Sequence, residues 1–344
     1  MTGAEPDVGL LDEAVRAVDA PDVVFGISRD GHRTVRSGGT RPATSPVPRD
    51  RQRYEIGSAS KTLTGLLLAD LDHTGVLSAA DPVASLLDPN RPPGRHPATL
   101  WHLITHTSGL PPLPADLYPR ALPRWYTNPY AGYPSERVVR AFFRARPARR
   151  PGTRWRYSNF GVAVLGHALV AATATPWERL LTARVLRPLG LDDTVLSPTG
   201  PGTDATGHRA DGVTPVPPLR IGGFQAAGAV HSTPYDLLTY LEALLRPEGG
   251  PLATALLEMR RPLLRRGRGH EHTHTLAWFC HPVEDGTMYF HIGATSGQVA
   301  FLGFRPDRGT ALVALSTRRY SRTDALVPTA YALLAGCSRR NPPC

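Results

Sequence analysis

The sequence predicts an α+β fold: an antiparallel β-sheet built from both chain termini and flanked by helices, with a large, mostly helical domain inserted between them. Three observations carry this reading. Short runs rich in β-branched and aromatic residues lie near both ends of the chain. Between them, apolar residues recur at helical spacing. The length, 344 residues, fits about two domains of ~150 residues or one large composite. The expected division is 1–57 plus 270–344 for the sheet domain and 58–269 for the inserted domain, with a functional cleft between them.

The elements follow in order. Residues 8–19 place Leu10, Leu11, Val15 and Val18 on one side of a helix. DVVFGISRDGHRTVRSGG reads as two strands around a turn at Asp30-Gly31. Residues 40–52 are a loop rich in Pro and Arg. Ser58 opens a helix that buries Leu63, Leu66, Leu67 and Leu71 and stops at Gly75. Helices are expected at 99–106, 135–145, 159–172, 176–187 and 234–246, separated by proline-rich loops at 88–98 and 111–134 and a Gly/Pro loop at 197–224. Strands are expected at TLAWFC, TMYFHI, QVAFLGF and TALVALST, then a last helix at 323–335. There is no internal repeat.

Composition narrows the function. The net charge is +10, but the arginines are scattered, with short clusters at Arg144–Arg150 and Arg260–Arg268. No recognition helix or basic strand with interleaved aromatics accompanies them, so no nucleic-acid partner is expected. No apolar run reaches the ~18 residues that cross a bilayer, so no membrane partner is expected either. The first twenty residues carry Glu5, Asp7, Asp12 and Glu13 and no apolar h-region, and the expected location is cytoplasmic. Cys280, Cys337 and Cys344 form no CxxC pair, which fits a reducing compartment. Cys280, in an apolar strand, reads as inert core.

One count is sharper. Of 39 basic residues, 38 are Arg and one is Lys, Lys61. An arginine stays protonated in a protein, whereas a lysine can be tuned into a base. Lys61 also stands three residues after Ser58, in Ser58-Ala59-Ser60-Lys61 at a helix start. Residues three apart share a helix face, so the amine lies beside the hydroxyl. The helix N-terminus offers N–H groups to a developing oxyanion. A second group, Arg156-Tyr157-Ser158-Asn159-Phe160-Gly161, sits at a loop-to-helix junction; Tyr157 could relay protons and Asn159 could bind a substrate amide. A third, His291-Ile292-Gly293-Ala294, ends a strand. Gly293 permits close approach of a substrate, and the Ala294 N–H could be a second oxyanion donor beside that of Ser58. Elsewhere, His270, His272 and His274 in GHEHTHT read as an exposed run, because no Asp or Cys follows at ligand spacing. His102 and His106 lack the Glu of H-E-x-x-H. No metal site is expected.

The order S-x-x-K, Y-S-N, H-x-G resembles the serine β-lactamase/penicillin-binding-protein superfamily, in its class C β-lactamase-like branch. EIGSASKTLTGLLLADL is similar to the family's nucleophile helix, and LWHLITHTSGLP to its L-L-x-H-x-S-G-L segment. PGTRWRYSNFGVAVLGHAL, LRPLGLDDTVL, AAGAVHSTPYDLLTYL and HIGATSGQVAFLGF resemble later landmarks in the expected order, and the likeness covers about residues 20–336. It implies a β-lactamase/transpeptidase-like fold with catalytic Ser58, Lys61 and Tyr157. Ser58 would form an acyl-enzyme while Lys61 and Tyr157 share the proton work. The N–H groups of Ser58 and Ala294 would form the oxyanion hole, and Asn159, His291 and Gly293 would meet the substrate. No cofactor is implied.

The chain departs from dedicated β-lactamases where they usually carry K-T-G. A fixed lysine suits the β-lactam carboxylate, and a mostly neutral His291 does not. The H-x-G form resembles esterases, D-amino-acid peptidases and acyltransferases of the branch. The expected function is therefore a serine acyl-enzyme hydrolase or acyltransferase, with a small-molecule acyl donor and, for transfer, an amine or alcohol acceptor. Cytosolic relatives can serve natural-product biosynthesis. The alternatives are a β-lactamase or D-alanyl-D-alanine carboxypeptidase, and a non-catalytic binding protein on the same fold. Oligomeric state is left open.

Overall fold

The computed structural model describes residues 4–336 apart from 44, 92–93, 148, 201, 251 and 267–271. His270, Cys337 and Cys344 lie outside the described residues. The strands are β1 (Val23–Arg29), β2 (His32–Gly38), β3 (Tyr54–Glu55), β4 (His231–Ser232), β5 (Leu264–Arg266), β6 (His272–His274), β7 (Phe279–Val283), β8 (Gly286–Ala294), β9 (Val299–Arg305) and β10 (Thr310–Ser316). Among the described residues they form an antiparallel eight-stranded sheet in the order β2-β1-β10-β9-β8-β7-β6-β5, plus a small β3–β4 pair. The two ends of the chain meet where β1 pairs with β10, Val23 opposite Ser316 and Arg29 opposite Thr310. The β1–β2 hairpin turns at Asp30 and Gly31, both at positive φ, which suits the right-handed twist of a hairpin.

The central strands are buried on both faces, and their side chains divide with the period of two that a pleated strand imposes. Val23, Phe25, Ile27, Phe301, Leu312 and Ala314 face one core. The terminal helices Ala4–Arg16 and Leu326–Ala335 close it with Leu11, Ala14, Leu326 and Leu334. Val24, Leu302, Phe304, Val313 and Leu315 face the other, continuous with the helical core. A strand buried on both faces needs cover on both. The second cover comes from the Pro234–Leu245 helix, which packs on β1, β9 and β10. That helix lies inside the segment 58–269 expected to form the inserted domain. β5 likewise begins the C-terminal part of the sheet ahead of the expected boundary at 270.

Two expected elements differ. TLAWFC was expected as one strand; only its last two residues belong to β7. Thr275 and Trp278 close a turn instead, by Thr275 N–H to Trp278 O at 2.9 Å and Trp278 N–H to the Thr275 hydroxyl at 3.1 Å. The apolar run is a buried turn linking β6 to β7. The GHEHTHT run is not simply exposed either: His274 is buried, stacked on Trp155 and edge-on to Phe279.

Candidate active site

Gly57–Ala59 forms a 3₁₀ turn that runs into the helix Ser60–His73. Ser58 thus sits in the turn before the α-helix rather than on its first residue. Gly57 has φ +49°, and a Cβ there would fall 2.9 Å from the Ala294 nitrogen. A Cβ at Gly293 would fall 1.8 Å from the Ile56 carbonyl oxygen. Glycine at both positions lets the turn and the end of β8 touch backbone to backbone, which brings Ser58 beside Ala294 as an oxyanion hole requires.

Lys61 is on the same side of the turn as Ser58. Its Nζ lies 3.0 Å from Ser58 Oγ and 2.7 Å from the Ala227 carbonyl. The side chain is 1% exposed, and among the described residues no carboxylate pairs with it. Burial favours the uncharged amine and lowers its pKa to about 7. The pocket behind it is only about 10 Å³ and is lined by Lys61, His106, Trp155, His274, Phe279 and His291.

Tyr157 comes from the extended stretch before the helix Asn159–Thr173, which Ser158 caps by accepting from Gly161 N–H at 2.8 Å. Its hydroxyl donates to Ser58 Oγ at 2.7 Å. Burial pushes the phenol up to about 12, so it is a neutral proton donor at physiological pH. Burial thus works against the charged form of both groups, the ammonium of Lys61 and the phenolate of Tyr157. His291, on β8, donates from Nδ1 to the Ile292 carbonyl at 2.9 Å. Burial, and then the nearby Lys61, lower its pKa to about 3. It supplies no positive charge to a substrate carboxylate.

Ser58, Lys61, Tyr157, His291, Gly293 and Ala294 converge. Asn159 converges with a twist: its Nδ2 donates to the Tyr130 hydroxyl at 2.9 Å, while its Oδ1 is buried with no hydrogen-bond partner. Tyr130 comes from the proline-rich loop 111–134 and was not singled out for the catalytic group from sequence. Its ring leans on Phe224 at 4.9 Å, which holds the hydroxyl toward Asn159. His106, dismissed above as a metal ligand, lies in the same cluster against Tyr157. Its only sequence signal is the His-Thr-Ser-Gly of LWHLITHTSGLP.

The Beta-lactamase family model matches residues 10–336. The chain belongs to the Beta-lactamase family. The D-alanyl-D-alanine-carboxypeptidase/endopeptidase AmpH of Escherichia coli (strain K12) is 30% identical over 63% of this chain and 55% of its own length, so the chain spans about half of that relative. A Beta-lactamase of Pseudomonas fluorescens is 26% identical over 82% of this chain and 84% of its own. The fold matches that of a class C beta lactamase from Rhodobacter sphaeroides, with TM-score 0.77 and 23% identity over 96% of this chain and 98% of that one. It also matches a D-stereospecific amidohydrolase from Streptomyces sp., with TM-score 0.76 and 22% identity over 97% and 98%. The fold expected from the sequence is the fold of this family, and the family is one of serine hydrolases.

Proposed function

We propose that this Beta-lactamase family member is a serine acyl-enzyme hydrolase or acyltransferase acting on a small ester or amide. One observation carries the reading: Ser58 Oγ is held between an amine at 3.0 Å, whose burial brings its pKa down to about 7, and a phenol at 2.7 Å that keeps its proton. Ser58 Oγ attacks the acyl carbon as its proton passes to Lys61 Nζ. The N–H groups of Ser58 and Ala294 receive the charge on the carbonyl oxygen. Tyr157 delivers a proton to the leaving group, and the proton on Lys61 restores it. Water or a bound amine or alcohol then attacks the Ser58 ester by the reverse route.

Neutral His291 supports esters over β-lactams, since nothing at that position pairs with a ring carboxylate. The names of the relatives favour the other reading, a β-lactamase or D-alanyl-D-alanine carboxypeptidase. One measurement tests the nucleophile that both readings share, and a second separates the readings. A fluorophosphonate probe should label the Ser58 peptide, and Ser58→Ala should abolish labelling. Short acyl esters should be turned over with cephalosporins cleaved poorly; efficient cephalosporin turnover would move the chain to the second reading. With an ester donor fixed, a panel of amines and alcohols then divides transfer from hydrolysis, and free acid as sole product leaves an esterase or amidase.

A further inference from the structure

His106 holds Tyr157 from three directions. Its carbonyl accepts from the Arg156 N–H at 2.8 Å, on one side of the tyrosine. Its Nδ1 accepts from the Ser158 N–H at 3.3 Å, on the other side. Its ring lies against the Tyr157 ring, centroids 4.5 Å apart. Both residues that flank the tyrosine are thus tied to one histidine, itself 8% exposed. An Nδ1 that accepts a hydrogen bond carries no proton, so the ring is neutral with its hydrogen on Nε2. From the other elements Lys61, His274 and His291 face the same small pocket.

His106 stands two residues past the helix Leu100–Ile104, in the left-handed place that closes a helix end. Its φ is +59°, in the left-handed region that a side chain with a Cβ enters at a cost. Its N–H donates to the Leu103 carbonyl at 3.3 Å and the Thr107 N–H to the His102 carbonyl at 2.9 Å, the pair of bonds that closes that helix end. Here the left-handed turn is what aims the carbonyl at Arg156 and the ring at Tyr157 and Ser158. The next residues continue the clasp: the Thr107 carbonyl accepts from Gly152 N–H at 2.8 Å, and the Ser158 hydroxyl donates to the Pro111 carbonyl at 2.6 Å.

We propose that His106 is the positioning residue of the catalytic tyrosine: through its carbonyl and Nδ1 it fixes the chain on both sides of Tyr157 and so keeps that hydroxyl on Ser58 Oγ. It moves no proton. The proposal rests on the reading of Tyr157 as the proton donor at Ser58, and its test separates the two. Steady-state kinetics on a short acyl ester are measured for His106→Gly and His106→Asn, each in the wild-type and in the Tyr157→Phe background. Glycine keeps the left-handed backbone and loses the acceptor. Asparagine tolerates the same backbone and offers Oδ1 to Ser158. His106→Gly is expected to lower kcat about 10- to 100-fold, the scale of a misaligned catalytic group, with KM little changed. His106→Asn recovers most of the loss. In the Tyr157→Phe background His106→Gly should cost no more than about twofold, because its effect runs through the missing hydroxyl.

Equal losses in the two backgrounds would reduce His106 to a general support of the fold and overturn the inference while the tyrosine's role stands. So would an asparagine variant no better than glycine. A Tyr157→Phe enzyme with full activity would overturn the tyrosine's role and the inference together. If His106→Gly does not fold, as read by thermal melting, His106→Asn and His106→Ala carry the same comparison.

Discussion

Two long basic side chains, Lys61 and Arg305, are each 1% exposed, and the protein treats them in opposite ways. Arg305 is surrounded by acceptors. It donates to the Ala335 carbonyl at the end of the last helix and to the Glu284 carbonyl, each at 2.9 Å, and it pairs with Asp307. A cation at a helix C-terminus is also favoured by the helix dipole. That charge is kept, and it pins the last helix to the β7–β8 hairpin. Lys61 meets one carbonyl and one hydroxyl and no carboxylate. That charge is disfavoured, and the amine becomes a proton acceptor near neutral pH. Burial alone does not decide what a cation does; the acceptors around it do. A chain that uses arginine 38 times and lysine once places that lysine 3.0 Å from Ser58 Oγ.

The largest effect should come from exchanging one kind of cation for the other. Lys61→Arg should lower kcat on esters by at least ~10², as much as Lys61→Met, because a guanidinium cannot take the serine proton at any working pH. Burst kinetics with an ester substrate would show it, and an arginine variant near the wild-type rate would mean that only positive charge matters at position 61. Next in size is the reverse experiment. Arg305→Met should leave kcat within about twofold yet cost roughly 2–3 kcal/mol of stability, since Asp307, the buried Ala335 carbonyl and the Glu284 carbonyl lose their donor. Urea unfolding at unchanged m-value reads this directly.

The smaller effects are pH-dependent. The active form of Lys61 is the neutral amine, so kcat/KM should fall as pH drops through about 7, by tenfold per unit below it. Folding follows the same group with its sign worked out. The folded pKa is lowered from 10.5 to about 7, so between these values the unfolded chain binds the proton and the folded chain does not. Stability contributed by this site therefore rises with pH across that window. Lys61→Met should flatten both the rate profile and the stability slope.

How much of this was legible before the structure depends on where the signal lies. Ser58 and Lys61 were legible because a three-residue spacing on a helical turn fixes a face, and because no other lysine competes. Gly293 was singled out for the close approach of a substrate, whereas the structure brings the protein's own Ile56 carbonyl against it, a neighbour the sequence did not reveal. β1, β9 and β10 were legible as strands from their apolar, β-branched and aromatic runs, but which residue meets which core was not, since these strands are buried on both faces. The strand expected at TLAWFC failed because a buried turn is as apolar as a strand, and only the Thr275 hydroxyl marks it. The Pro234–Leu245 helix was found but not its place on the sheet, since an apolar stripe does not say which layer it meets. His106 was out of reach: its part is played by a left-handed backbone and by contacts to a segment 52 residues away.

The seam between β1 and β10 also sets a timetable. Asp22 and Thr317, hydrogen-bonded at 2.9 Å beside that seam, are 295 residues apart in the chain. At a ribosome's pace of roughly 5–20 residues per second, the β1–β2 hairpin must wait on the order of a quarter of a minute to a minute for its neighbour. During that interval Val23, Val24, Phe25 and Ile27, all buried in the finished protein, have no sheet to join. The helical middle of the chain is synthesised meanwhile and can build its own core around Leu165 and Leu169. The turn that carries Ser58 rests on Ala294 at the end of β8, so it too must wait for strands made after that helical middle.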